Sequence, residues 1–216
     1  MTPIGNEVSE LVRLAFAYGS AELRSRALPL FALEARLASI IARMNEPLLA
    51  QMRLAWWRDQ LMMQATERPA GDLVLAELTR CWDQQVDVPR GLIDGWETWS
   101  KAELDRDGWL AFVDGYQDLF AALSRLREPS FDSTRAANNG AWWAVGKACL
   151  LARSSAELEQ VRNWASALAP RARLTRGLRP LVILGGMGRR VMQRGKGPLF
   201  GDRASAVAVL KLGILG

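Results

Sequence analysis

Glu34, Arg53, Trp56 and Trp57 are the residues of this chain whose types and spacing best suit a small anionic or apolar ligand. They lie within residues 27–64, ALPLFALEARLASIIARMNEPLLAQMRLAWWRDQLMMQ. Glu34 is the only acid on the inner side of its helix, and Arg53 falls between two apolar surfaces of the next one. Each is costly to bury alone. Two readings follow: a buried Glu34–Arg53 ion pair, or an anion site in which Arg53 holds a head group, Glu34 orients it and the tryptophans line the space. The pair is the simpler reading, because no second basic group nearby is aimed inward. Breaking such a pair would cost about 3–5 kcal/mol.

A second group is cationic. Between Gln160 and Gly201 stand nine basic residues and no acidic one, so the rest of the chain is net negative although the whole carries +5. Arg176, Arg179, Arg189, Arg190 and Arg194 form its centre, interleaved with Leu178, Leu181, Val182, Ile183, Leu184 and Met187. An apolar stripe with a basic flank suits an anionic membrane surface or a phosphorylated head group. It equally describes an ordinary helix docking its apolar side in a core. No aromatic residue stands between Arg171 and Arg194 to stack on bases and no DNA-binding motif accompanies the patch, so nucleic acid is not the expected partner. A third candidate, the Asp114/Asp118 pair, points away from the apolar face of Phe112, Val113, Tyr116, Leu119, Phe120 and Leu123, and reads as solvated.

What is missing narrows the chemistry. With no histidine, imidazole bases, histidine triads and histidine metal sites are all excluded. The two cysteines, Cys81 and Cys149, are not in a CxxC arrangement and read as small core residues in a reducing cytoplasm. No catalytic residue and no metal ligand set is expected.

The elements that position these groups are helices. Hydrophobic residues make up 50%, tryptophan is frequent at nine, and strand-like alternation is scarce. Leu30, Leu33, Leu37, Ile40, Ile41 and Met44 form the stripe of one helix. Asn45 is a cap, and Pro47 suits the first turn of the next helix. That helix, with Leu48, Leu49, Met52, Trp56 and Met63 on one side and Leu54, Trp57 and Leu61 on another, is expected to run through the interior. Caps are expected at Ser20, Asp72, Asp132 or Ser133, and Ser154 with Glu157, and Asp105 to Gly108 begins the helix from Trp109 to Leu126. Gly146 and Ala148 would permit close helix approach. About nine helices in one all-α domain spanning 1–216 result. The N-terminus does not read as a signal peptide, and no apolar run approaches the ~20 residues that cross a bilayer.

The succession LPLFALEARL, then EPLLAQMRLAWWRDQL, resembles the start of the squalene/phytoene synthase family, in particular its bacterial branch. Residues 91–97, GLIDGWE, and Arg179-Pro180-Leu181 with residues 201–206, GDRASA, are similar to weaker signatures of that branch. The resemblance implies an all-helical fold of isoprenoid-synthase type. It implies head-to-head condensation of two prenyl diphosphates by Mg²⁺ held on two DxxxD-type motifs, whose carboxylates share one helix face. Here Phe31 to Met44 contains no aspartate, and residues 140–150 contain no acid. The expectation is therefore a divergent member, isoprenoid or lipid related, that binds no Mg²⁺ and does not carry out metal-dependent prenyl transfer. The alternative is a non-catalytic assembly or scaffolding factor peripheral to the inner membrane, a role the resemblance also implies, since proteins of that branch assist respiratory complex I assembly. A prenyl or polar lipid, an anionic membrane surface and a protein client are the partners these readings call for.

Overall fold

A computed structural model of the chain describes residues 3–43, 46–128, 132–194 and 199–215. No strand occurs among them. Ten α-helices follow one another: α1 Glu10–Ala17, α2 Ala21–Ala42, α3 Pro47–Met62, α4 Leu73–Trp82, α5 Asp87–Glu97, α6 Arg106–Arg127, α7 Ser133–Leu151, α8 Ser155–Ala165, α9 Arg179–Arg194 and α10 Arg203–Leu215. The expected all-helical class is the class observed. Short polar side chains start the helices where the sequence places them. Ser20 accepts from the Leu23 amide at 3.2 Å, Asp72 from Leu75 at 3.0 Å, Asp105 from Gly108 at 2.7 Å and Asp132 from Thr134 at 3.0 Å. Ser154 accepts from Glu157 at 3.1 Å, and the Glu157 carboxylate closes the box on the Arg153 amide at 2.6 Å. The expected Asn45 cap lies outside the described residues.

The chain divides into two compact units, Met1–Ser9 with Ser25–Gly115 and Glu10–Arg24 with Tyr116–Gly216. In the first, residues 27–34 of α2 are buried all round, Pro29 included. α4 is fastened to this helix through Trp82, whose Nε1 donates to the Arg26 carbonyl at 2.8 Å while the Arg26 guanidinium lies 5.0 Å from its ring. Trp96 and Trp99 meet Phe112 edge-on at 5.5 Å, and a Cβ on Gly95 would stand 2.9 Å from the Phe112 Cα, so α5 rests directly on the backbone of α6.

α3 packs on α5 and α4 with Ala50, Leu54, Trp57 and Leu61 buried, but it does not run through the interior as expected. Its other side faces solvent: Leu48 is 67% exposed, Met52 62% and Trp56 41%. A helix that is apolar nearly all round carries no pattern to say which side is covered, and here only one is. The helix ends on Arg68. This side chain, 5% exposed, donates to the carbonyls of Leu61 at 2.9 Å and Met63 at 3.2 Å and to Thr79 Oγ1 at 3.0 Å, and pairs with Asp83 at 2.9 Å. A cation on the last carbonyls of a helix satisfies acceptors that have no partner within it.

In the second unit α7 and α9 cross with backbone against backbone. A Cβ on Gly188 would overlap the Trp142 carbonyl, one on Gly146 would overlap the Gly188 Cα, and one on Gly185 would lie 2.7 Å from the Asn139 carbonyl. The close approach expected at Gly146 is made here. α8 stops at Ala165, earlier than the Ala169 that the sequence suggests. Pro170 disfavours helical geometry at the residue before it. The following stretch is held by three donors along one face of α7: Trp142 Nε1 to the Ala169 carbonyl at 2.9 Å, Asn139 Nδ2 to Ala172 at 3.0 Å and Arg135 to Arg173 at 2.6 Å. Arg135, Asn139 and Trp142 are spaced i, i+4, i+7, so the strap lies along the helix in the opposite direction.

Gly188→Ala is expected to destabilise the protein by about 1–3 kcal/mol despite alanine's better helix propensity, because both helices must move apart. Arg68→Ala should cost about 2–4 kcal/mol, since it strands buried carbonyls at the end of α3. Denaturant unfolding midpoints measure both, and a change below ~0.5 kcal/mol at either site would contradict the packing described.

Candidate functional site

The first unit contains Glu34, Arg53, Trp56 and Trp57, and the structure does not bring them together as expected. Glu34 is buried at 2% exposure, whereas Arg53 is exposed and takes part in none of the ion pairs found among the described residues. The expected Glu34–Arg53 pair is therefore corrected: Arg53 lies on the flank of α3 away from α5, where water solvates it. The arginine that α3 does turn toward a neighbour is Arg58. It pairs with Asp94 at 2.8 Å and with Glu97 on α5, and the Glu97 hydrogen bond is the main reason its guanidinium pKa is raised. The sequence held that signal, since Asp94 and Glu97 are spaced i, i+3 on one helix face. Trp57 is buried and Trp56 meets it edge-on at 5.1 Å, with its own ring half exposed. Of the four residues, the two tryptophans are in ring contact.

No group of three or more His, Cys, Asp or Glu among the described residues could hold a metal ion. The two places where the resemblance would put metal carboxylates are a buried, largely apolar α2 and the buried apolar middle of α7, where Lys147 lies 5.1 Å from the Trp143 ring. These residues do not fit a magnesium site. Asp114 and Asp118 are both exposed on α6. Cys81 and Cys149 are free and buried; burial pushes the Cys149 thiol up to about 11, so it stays neutral and is no nucleophile near neutral pH.

The second unit holds the cationic patch. The interleaved apolar residues Leu178, Leu181, Val182, Ile183, Leu184 and Met187 are all buried, so the stripe of α9 belongs to the core and faces no external surface. Exposed apolar surface comes instead from α10. Ser205, Val209 and Gly213 turn inward, while Val207, Leu210 and Ile214, the last 65% exposed, turn outward. Three- and four-residue steps put these three on one stripe.

α10 runs antiparallel to α9. Arg194 reaches Asp202 at 3.7 Å at one end, and Arg179 donates to the Ile214 carbonyl at 3.3 Å at the other. Arginines thus stand at both ends of the exposed stripe, joined by Arg203 and Lys211 on α10 itself, both exposed. Asp202 is the one acid nearby. The Ser205 hydroxyl and amide hold its carboxyl below the ordinary range, with Arg194 and Arg190 adding to the effect. Arg176 and Arg189 are also exposed, and Arg190 is half-buried. Among the described residues no helix is long and apolar enough to cross a membrane.

No family model, curated protein or solved structure matches the chain.

In the native protein Cys149 should resist a charged maleimide near neutral pH and react after unfolding. Stoichiometric labelling of the folded chain at Cys149, read by mass spectrometry, would contradict its placement.

Proposed function

We propose that this chain is a divergent squalene/phytoene synthase-like protein that works at an anionic lipid surface, without metal-dependent prenyl transfer. The carrying observation is the solvent-facing stripe of Val207, Leu210 and Ile214 on α10, flanked by Arg179, Arg194, Arg203 and Lys211. Apolar side chains exposed on one side of a short helix gain by entering the interfacial region of a bilayer. Each nearby arginine or lysine adds about 1 kcal/mol against anionic lipid. A helix of 13 residues can lie in the interface but cannot span it. The sequence resemblance supports a prenyl or polar lipid as the bound species, and the cationic surface supports a position peripheral to the cytoplasmic face of the inner membrane.

A second reading is an assembly or scaffolding factor whose bound species is a protein. The exposed apolar row of α3 favours it. Arg53 and Asp59, both exposed beside that row, give it mixed charge, which suits a protein better than an anionic bilayer.

Co-sedimentation with phosphatidylcholine vesicles, with and without phosphatidylserine, tests the first reading. Binding should require the anionic lipid, fall as salt rises, and drop about tenfold in the double variant Leu210→Asp/Ile214→Asp. Binding that ignores both lipid charge and these substitutions would refute it. The equivalent α3 variant, Met52→Asp/Trp56→Asp, should leave vesicle binding unchanged.

A further inference from the structure

Within the cationic patch one arginine is placed unlike the others. Arg171 lies in the strap that α7 holds through Trp142 and Asn139, and its guanidinium is laid across α9. Nη1 donates to the Val182 carbonyl at 3.4 Å and stands 3.1 Å from where a Cβ on Gly186 would be. The Leu212 methyls lie 2.5 and 2.9 Å from the same position, so the glycine lets the Leu212 and Arg171 side chains close on α9. Arg189 and Arg190 follow Gly186 by three and four residues, which brings them to the same face one turn on. The Arg189 guanidinium lies 5.7 Å from the ring of Trp142, the residue that pins the strap.

Arg190 lies within electrostatic reach of Asp202, while Arg171 and Arg189 have no acidic partner among the described residues. None of Arg171, Arg189 and Arg190 joins an ion pair among the described residues, and the Nε atoms of Arg171 and Arg190 are buried without a hydrogen-bond partner. Burial first, and the neighbouring charge of Arg189 second, lower the Arg171 guanidinium pKa from its ordinary value. Two like charges drawn together in a partly desolvated place oppose folding unless something stands between them. The N–H donors that such planar forks leave over are matched by a tetrahedral oxyanion, which can accept from both.

We propose that Arg171 and Arg189, brought to one face of α9 by the strap and by Trp142, form a binding site for a dianionic phosphate monoester. The site rests on the lipid-surface reading for its source of phosphate. A lipid whose head group is a bare phosphate monoester, such as phosphatidic acid, and a free phosphate share the chemistry. Trp142 serves as a platform for Arg189 and, through the strap, positions Arg171.

The test uses the full chain and two probes. Inorganic phosphate, compared with chloride at equal ionic strength, should raise the unfolding temperature saturably. Arg171→Gln and Arg189→Gln should each weaken that response about tenfold, the loss of one charge-assisted contact. Without phosphate both variants should unfold at the parent temperature or above it, because like-charge repulsion is relieved. Should Arg171→Gln fail to fold, Arg171→Lys, which keeps the charge and loses the fork, should weaken the phosphate response in the same direction. Arg203→Gln should leave the response to phosphate intact. A parent response no larger than that to chloride, or variants that respond like the parent, would overturn the site.

Vesicles separate the sources and the two proposals. A preference for phosphatidic acid over phosphatidylserine that disappears in Arg189→Gln identifies the lipid head group, and no such preference with the phosphate response intact identifies free phosphate. Vesicle binding without a phosphate response removes the site and leaves the membrane reading. A phosphate response without vesicle binding does the reverse.

Discussion

The backbone contact between α7 and α9 is the constraint on which the second unit depends. Gly146, Gly185 and Gly188 let the two helices approach until main chain meets main chain. Interiors are close-packed, so such a contact fixes the register of both helices, not merely their adjacency. Register matters because it sets where the edges of α7 lie. Arg135, Asn139 and Trp142 occupy one of those edges and hold residues 169–173 in an extended strap. The strap in turn delivers Arg171 to α9 beside Gly186, where a Cβ would crowd both Arg171 and Leu212. A chain of dependence thus runs from three glycines to the position of a single guanidinium.

Charge is segregated along the same framework. Most ion pairs of the first unit are local or join neighbouring helices, as Arg58 does with Asp94 and Glu97. In the second unit the α9 to α10 region has only Asp202 to set against its arginines, and that carboxylate is already engaged by Ser205 and Arg194. Uncompensated charge of one sign raises the energy of the compact state and the affinity for an opposite surface at the same time. The exposed stripe of α10 adds an apolar contribution at the same place, and the proposed bilayer interface would satisfy both terms together. The apolar residues of α9, which the sequence interleaves with the arginines, contribute nothing to this surface because they fill the core beneath it.

In the first unit residues 27–34 of α2 are buried all round, whereas α3 is covered on one side only, by α5 and α4. Leu48, Met52 and Trp56 remain in water while Leu54, Trp57 and Leu61 are buried. Arg53 and Arg58, five residues apart on the same helix, end in opposite circumstances because five residues is about one and a half turns. One meets two carboxylates on α5, and the other meets solvent.

Local sequence specifies the helices and most of their starts, since caps at Ser20, Asp72, Asp105, Asp132 and Ser154 depend on bonds spanning two or three residues. It also located the cationic run, and it identified Gly146 as a point of close approach. Periodicity could not decide the fate of α3, because a helix apolar on both sides presents two equally good faces and only its neighbours choose between them. The Glu34–Arg53 pairing failed for the same reason. The arrangement around Arg171 was not legible at all: residue types show that arginines are present, but their convergence depends on which face of α7 the strap follows. That choice is made by contacts between residues about thirty positions apart, and only the tertiary structure brings them into reach.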